Sequence, residues 1–114
     1  MTQKKATVVM IRAILQLHAA PGQRDQLLAH YERNEVLDAS SSWQWTSGEV
    51  GLDLTDDHTV VVTSTWPSVQ NYHGWLASTA RRDVLTAMQP LLDPHRPAVT
   101  QVLQLAQTRQ AGVR

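Results

Sequence analysis

Residues 59–78 read TVVVTSTWPSVQNYHGWLAS, and the reading of this stretch decides the fold. The β-branched run up to Trp66 has the composition of a strand, with Val60, Val62, Ser64 and Trp66 pointing one way and Val61, Thr63 and Thr65 the other. Pro67 cannot continue a central strand, and Ser68 carries the side-chain oxygen of a helix N-cap. Val69, Tyr72 and Leu76 then recur at three- and four-residue steps, the spacing of a helix, which places Tyr72 and Trp75 on a common side. Two tryptophans and a phenol therefore meet at one strand-to-helix junction. They are either core packing or the wall of a pocket for a flat organic molecule.

Upstream, WQWTSGEVGLDL (43–54) is a second strand in which Trp43 and Trp45 share a face and Gly48 and Gly51 permit a bend. The polar turn TDDH (55–58) joins it to 59–66 as a hairpin. Residues 7–18 alternate, with Val9, Ile11, Ala13, Leu15 and Leu17 on an apolar face and Met10, Arg12, Ile14, Gln16 and His18 on a mixed one. Pro21-Gly22 ends that strand, and residues 23–36 form an amphipathic helix through Leu27, Leu28 and Tyr31.

Downstream, Ser78-Thr79 closes the helix of 69–76 and caps another over 80–89, with Val84, Leu85 and Met88 inward and Arg81 and Arg82 in its first turn. Pro90 and DPHRP (93–97) stop it. A last strand, 98–106, sets Val99, Leu103 and Leu105 against Thr100, Val102 and Gln104. The order β-α-β-β-α-β, with the second helix split, predicts an α+β ferredoxin-like domain over 7–106, a four-stranded antiparallel sheet with helices on one face. Residues 1–6 and 107–114 are expected to be a frayed start and a flexible tail. The other sheet face lacks a cover within the chain, and a second copy is the simplest cover, so a homodimer is expected.

Composition excludes several functions. Ten basic and ten acidic side chains balance in 114 residues, so no net field favours nucleic acid or an anionic membrane surface. No run reaches the ~18 apolar residues of a membrane span, and Arg12, Gln16 and His18 interrupt the N-terminal apolar run that could imitate a signal peptide. The absence of cysteine rules out disulfides and thiolate metal sites and suits a reducing cytoplasm. No His or carboxylate spacing marks a metal site, and no glycine-rich phosphate loop is present.

The pattern W-x-S-x-x-x-Y-x-x-W-x-x-S, here Trp66, Ser68, Tyr72, Trp75 and Ser78 after TVVV, resembles the antibiotic biosynthesis monooxygenase superfamily of dimeric α/β barrels. The resemblance spans roughly residues 7–106. Its Trp and Ser are shared by most branches and specify the scaffold more than the reaction. Chain length and the Trp-then-Tyr pair are most similar to the small oxygenases that turn polyketide anthrones into quinones with O2 and neither metal nor flavin.

Those enzymes carry an Asn four residues before the strand-ending Trp, where this chain has Val62, and a His on the neighbouring strand with no counterpart near Leu52. The haem-degrading branch has an axial His ten residues after the second Trp, where this chain has Leu85. The resemblance implies Trp66, Tyr72 and Arg81 as catalytic groups and Trp75, Val62, Arg82 and His73 as substrate-binding groups, with no metal and no cofactor beyond O2 as co-substrate. Trp66 would offer a ring face and an indole N–H, and Tyr72 a hydroxyl to a substrate ketone.

Each of these residues has a plainer reading. The aromatics would be core, Arg81 and Arg82 solvated, Arg12 an inter-subunit ion-pair member, and His18 and His73 surface or capping histidines. Trp43 and Trp45 would belong to the dimer interface or the pocket roof. Three functions remain open: a quinone-forming monooxygenase, a polyketide cyclase or isomerase, and a non-catalytic small-molecule-binding protein.

Overall fold

A computed structural model describes residues 9–33, 45–107 and 109 of the chain. The elements are β1 (Ile11–His18), α1 (Arg24–Arg33), β2 (Ser47–Leu52), β3 (Thr59–Trp66), α2 (Val69–Leu76), α3 (Thr79–Met88), a 3-10 turn (Gln89–Leu91) and β4 (Val99–Gln104). The strands form one antiparallel sheet in the order β2-β3-β1-β4. This is the ferredoxin-like arrangement expected from the element order. The ladder of β1 begins at Ile11 rather than residue 7; residues 7 and 8, helix positions 34–36 and Trp43 lie outside the described residues.

The central pair is β1 with β3, whose register places Ile11 opposite Trp66, Ala13 opposite Ser64, Leu15 opposite Val62 and Leu17 opposite Val60. These residues share one face, and the helices cover it. Leu17, Val60 and Val62 pack with Leu27 and Tyr31 of α1 and Met88 of α3 in one buried cluster. Ile11, Ala13 and Trp66 pack with Tyr72 of α2 in a second, joined by Trp45, Trp75 and Leu76. The uncovered face therefore carries the mixed set of β1: Arg12, Ile14 and Gln16 beside Thr65, Thr63 and Val61. There Arg12 Nε donates to Thr65 Oγ1 at 3.3 Å.

Local chemistry fixes the joints. Gly22 turns the chain out of β1 with φ 79, a left-handed conformation that favours glycine. Ser68 Oγ accepts from Asn71 N at 3.1 Å and caps α2. Ser78 does the same for α3, accepting from Arg81 N at 3.1 Å while donating to Trp75 O at 2.7 Å, so one side chain closes one helix and opens the next.

The β2–β3 turn is held from three sides. Asp53 Oδ1 accepts from Thr55 N at 2.7 Å and Asp56 N at 3.0 Å. Arg24 of α1 donates to the carbonyls of Asp53 and Asp56 at 2.9 and 3.1 Å. Arg96, from the loop before β4, donates to Asp56 Oδ2 at 2.7 Å.

Two stability measurements check this architecture. Leu27 is 0% exposed within the first cluster. Leu27→Ala should lower the unfolding free energy from urea titration by ~2–5 kcal/mol, whereas Val69→Ala, on an exposed position of α2, should change it by less than ~0.5 kcal/mol. The second concerns acid. The Arg96 hydrogen bond, then the His58 N–H, hold the Asp56 carboxyl far below its ordinary 3.8, and hydrogen bonds from Thr55 hold Asp53 below that value. Carboxyls lowered in the folded state add stability above the unfolded value and lose it as the pH falls through 3.8 towards their folded values. Thermal melts should show this loss in the wild type, and Asp56→Asn should give a lower but flatter profile over the same range.

Candidate active site

The register that builds the core also leaves a gap in it. On the helix-covered face, Gly48, Ser64, Ala13 and Val102 form one row across the four strands. On one side the flanking row is Val50, Val62, Leu15 and Thr100, and on the other Trp66 pairs with Ile11. Ser64 and Ala13 in the sheet centre are too small to reach the helices above, so the two core clusters stay apart there. The result is a cavity of about 80 Å³ with Ala13, Ser64 and Val62 in its floor. Tyr31 of α1, Trp66 at the end of β3, Tyr72 and Trp75 of α2 and Arg81 of α3 wall it, and Leu85 and Met88 close the apolar end. Thr100 lines it from β4, an edge strand exposed along its whole length.

Five of the residues singled out in the sequence thus converge: Trp66, Tyr72, Trp75, Val62 and Arg81. Arg82 and His73 do not line the cavity; both are exposed on the first turn of α3 and on α2. A helix turns by about 100° per residue, which separates neighbouring Arg81 and Arg82 onto different faces. Trp45 packs against the second cluster rather than roofing the cavity, and its indole nitrogen is buried with no hydrogen-bond partner among the described residues.

The role expected of Trp66 requires correction. Its indole N–H is not free for a ligand, because Trp66 Nε1 donates to Ser64 Oγ at 2.8 Å. Trp66 is 1% exposed and presents a ring edge and face only, set against Tyr72 with ring centroids 5.6 Å apart and planes tilted by 57°. Ser64, two residues earlier on the same strand face, carries the polar contact instead.

Burial pushes both phenols up, Tyr31 far above its ordinary 10.0 and Tyr72 above it, while the Arg81 charge pulls each the other way. Both stay protonated at neutral pH and act as donors. Among the described residues, no carboxylate or imidazole lines the cavity. Among the described residues, no three His, Asp or Glu side chains group closely enough to hold a metal ion. Tyr31, Ser64, Ala13 and Thr100 went unassigned in the sequence. Ser64 was within reach of alternation, sharing a face with Val62 and Trp66, whereas Tyr31 shows only as an apolar helix position until the helix is docked.

A second cavity of about 200 Å³ lies between β1 and the loop before β4, lined by His18, Gln89, Asp93 and Arg96 among leucines and prolines. It is the larger, but its charged and imidazole groups are committed: His18 Nδ1 lies 2.9 Å from Thr59 Oγ1, Arg96 holds Asp56, and Asp93 Oδ1 accepts from His95 N at 2.8 Å. The converging aromatics and unpartnered donors make the first cavity the candidate site.

The sequence matches no family model and no curated protein. Solved structures do match. A candidate antibiotic biosynthesis monooxygenase from Chloroflexus aurantiacus is 24% identical over 90% of this chain and 99% of its own, with TM-score 0.66. SnoaB from Streptomyces nogalater, a cofactor-independent oxygenase in a mutant form, is 11% identical over 87% and 95% of the two chains, with TM-score 0.72. A protein of unknown function from Nitrosomonas europaea is 15% identical over 95% and 100%, with TM-score 0.72. Identity at this level establishes architecture rather than reaction. The chain has the α+β ferredoxin-like fold of the antibiotic biosynthesis monooxygenases.

Proposed function

We propose that this chain is a cofactor-independent monooxygenase, working in the cytoplasm as a homodimer, that oxidises an anthrone-like polycyclic aromatic polyketide intermediate to a quinone with O2. One observation carries the reading: an apolar slot between aromatic rings, Trp66, Tyr72 and Trp75, into which protonated phenols and a guanidinium converge. The oxygenase named among the fold neighbours supports it.

In this reading the substrate supplies the electrons. Loss of a proton to water from the acidic carbon opposite the ketone leaves a delocalised carbanion, which gives one electron to O2. Recombination of the substrate radical with superoxide forms a peroxide anion that takes a proton back from water, and the hydroperoxide loses water to leave the quinone, so one O2 yields one quinone oxygen and one water. Trp66 and Trp75 sandwich the rings and exclude water, Val62 sets the floor, and Tyr72 donates to the enolate oxygen. Arg81 opposes its negative charge. A cyclase or isomerase would use the same slot for proton transfer, and a binding protein would use it without turnover.

Purified, metal-stripped protein incubated with a simple anthrone should consume O2 and form quinone absorbance well above the buffer rate. Tyr72→Phe should lower kcat by about tenfold or more, the size expected for one transition-state donor. Trp66→Phe should chiefly raise KM. Binding of the anthrone without O2 uptake would leave the non-catalytic reading in its place.

The homodimer reading is supported by the open sheet face. Ile14 and Val61 lie at its centre, and Val99 and Leu103 are 54% and 37% exposed beside them. Light scattering should give twice the 12.7 kDa chain mass, and Ile14→Glu should return the monomer. A wild-type monomer would overturn the assembly.

A further inference from the structure

We propose that the cavity takes its ligand already ionised: it recognises a flat aromatic molecule through a hydroxyl or enol that has lost its proton in solution, and the protein supplies donors and no base. This rests on the reading above that the cavity holds the aromatic substrate, and it narrows the substrate class to the oxyanion form.

Five hydrogen-bonding side chains from five elements meet in the cavity, Thr100 of β4 among them. Ser64 Oγ accepts the indole N–H of Trp66 at 2.8 Å, which fixes the oxygen and leaves the serine's own proton with no acceptor among the described residues. Tyr31 and Tyr72 enter from α1 and α2, and neither phenol bonds to a described residue. Arg81 enters from α3 with no carboxylate in ion-pair reach among the described residues. It sits in the first turn of that helix, where the backbone dipole disfavours a cation and an anion beside it would be stabilised.

The titratable groups around the slot are few. Besides these donors, buried His30 touches Tyr31 edge-on and exposed His73 lies beside Tyr72. Arg82 and Asp83 of α3 are exposed, and Arg12 and Glu49 belong to the opposite sheet face. None of them lines the cavity.

A neutral hydroxyl in this slot could donate to a phenol, serine or threonine oxygen, but it would leave the Arg81 guanidinium with no counter-charge among the described residues. An oxyanion accepts from several donors at once, and charge-assisted bonds in a desolvated site are the stronger ones. The deprotonation is balanced outside the protein: the O–H bond breaks, the electron pair stays on oxygen and the proton passes to water.

The test measures binding under nitrogen, by quenching of tryptophan fluorescence, so that turnover does not enter. Anthracene-9-carboxylate should bind at least ~10-fold tighter than 9-anthracenemethanol, the span of one charge-assisted bond. Across a series of ring-matched naphthols of falling pKa, the pH midpoint of binding should move with each ligand's own pKa. Arg81→Gln should abolish the preference for the carboxylate and leave affinity for the alcohol within about twofold; Arg82→Gln should change neither.

Equal or tighter binding of the alcohol, a midpoint common to all the naphthols, or no quenching by either anthracene would overturn the inference. Oxygen uptake with an anthrone by a protein that prefers the alcohol would sink this inference and leave the oxygenase standing. Anion-selective binding without oxygen uptake would do the reverse.

Discussion

Pairing of β1 with β3 is the constraint on which the rest of the molecule depends. Eight consecutive residue pairs run from Ile11 with Trp66 to His18 with Thr59, and every helix packs on the face this ladder presents. A slip of β3 by one residue against β1 would turn Val60, Val62 and Trp66 to the open face and bring Val61, Thr63 and Thr65 under the helices. The register also sets the site. Because Ala13 meets Ser64, and Gly48 extends the row, the sheet is low where its neighbours on either side are tall. The cavity is the consequence of that mismatch in side-chain size, placed between two well-packed clusters rather than cut into either.

Two serine caps turn the gap on the helix-covered face of the sheet into a bounded slot. Ser68 starts α2 directly after Trp66 and Pro67, so that Tyr72 falls beside the Trp66 ring. Ser78 ends α2 and starts α3 within one residue, and that abrupt change of direction brings Trp75 and Arg81 to the same cavity. A continuous helix through Ser78 would have carried Arg81 along the axis of α2, away from the sheet. The polar and apolar halves of the site are thus set by local capping chemistry acting on a long-range register.

The aromatic junction has a division of labour that its composition conceals. Trp66 looks like a donor in sequence, but its indole N–H is spent on Ser64, and the ring is almost wholly buried. What reaches the cavity as hydrogen-bonding capacity is the Ser64 and Thr100 hydroxyls, the two phenols and Arg81. A site with donors on every side and no carboxylate in its lining among the described residues handles negative charge well and proton abstraction poorly.

Local pattern carried the elements and their order. Alternation marked Ile11 to Leu17 and Val60 to Trp66, three- and four-residue steps marked α2 and α3, and Pro67, Ser68 and Ser78 marked their ends, because these signals act within a few residues of chain. The family resemblance singled out Val62 and Arg81, which meet in space with the Trp66, Tyr72 and Trp75 that the local signals had already gathered at one junction. Those signals could not choose between Arg81 and Arg82, since a first-turn position does not reveal which of two neighbours faces inward until the helix is docked. Nor could they show Tyr31, which lies more than thirty residues away, or the hydrogen bond that removes the Trp66 donor. The sequence by itself determined which segments are strands and helices and where they stop. Only the tertiary structure decided which side chains share the cavity, because that depends on the pairing of β1 with β3, an interaction between residues some fifty positions apart that no local pattern encodes.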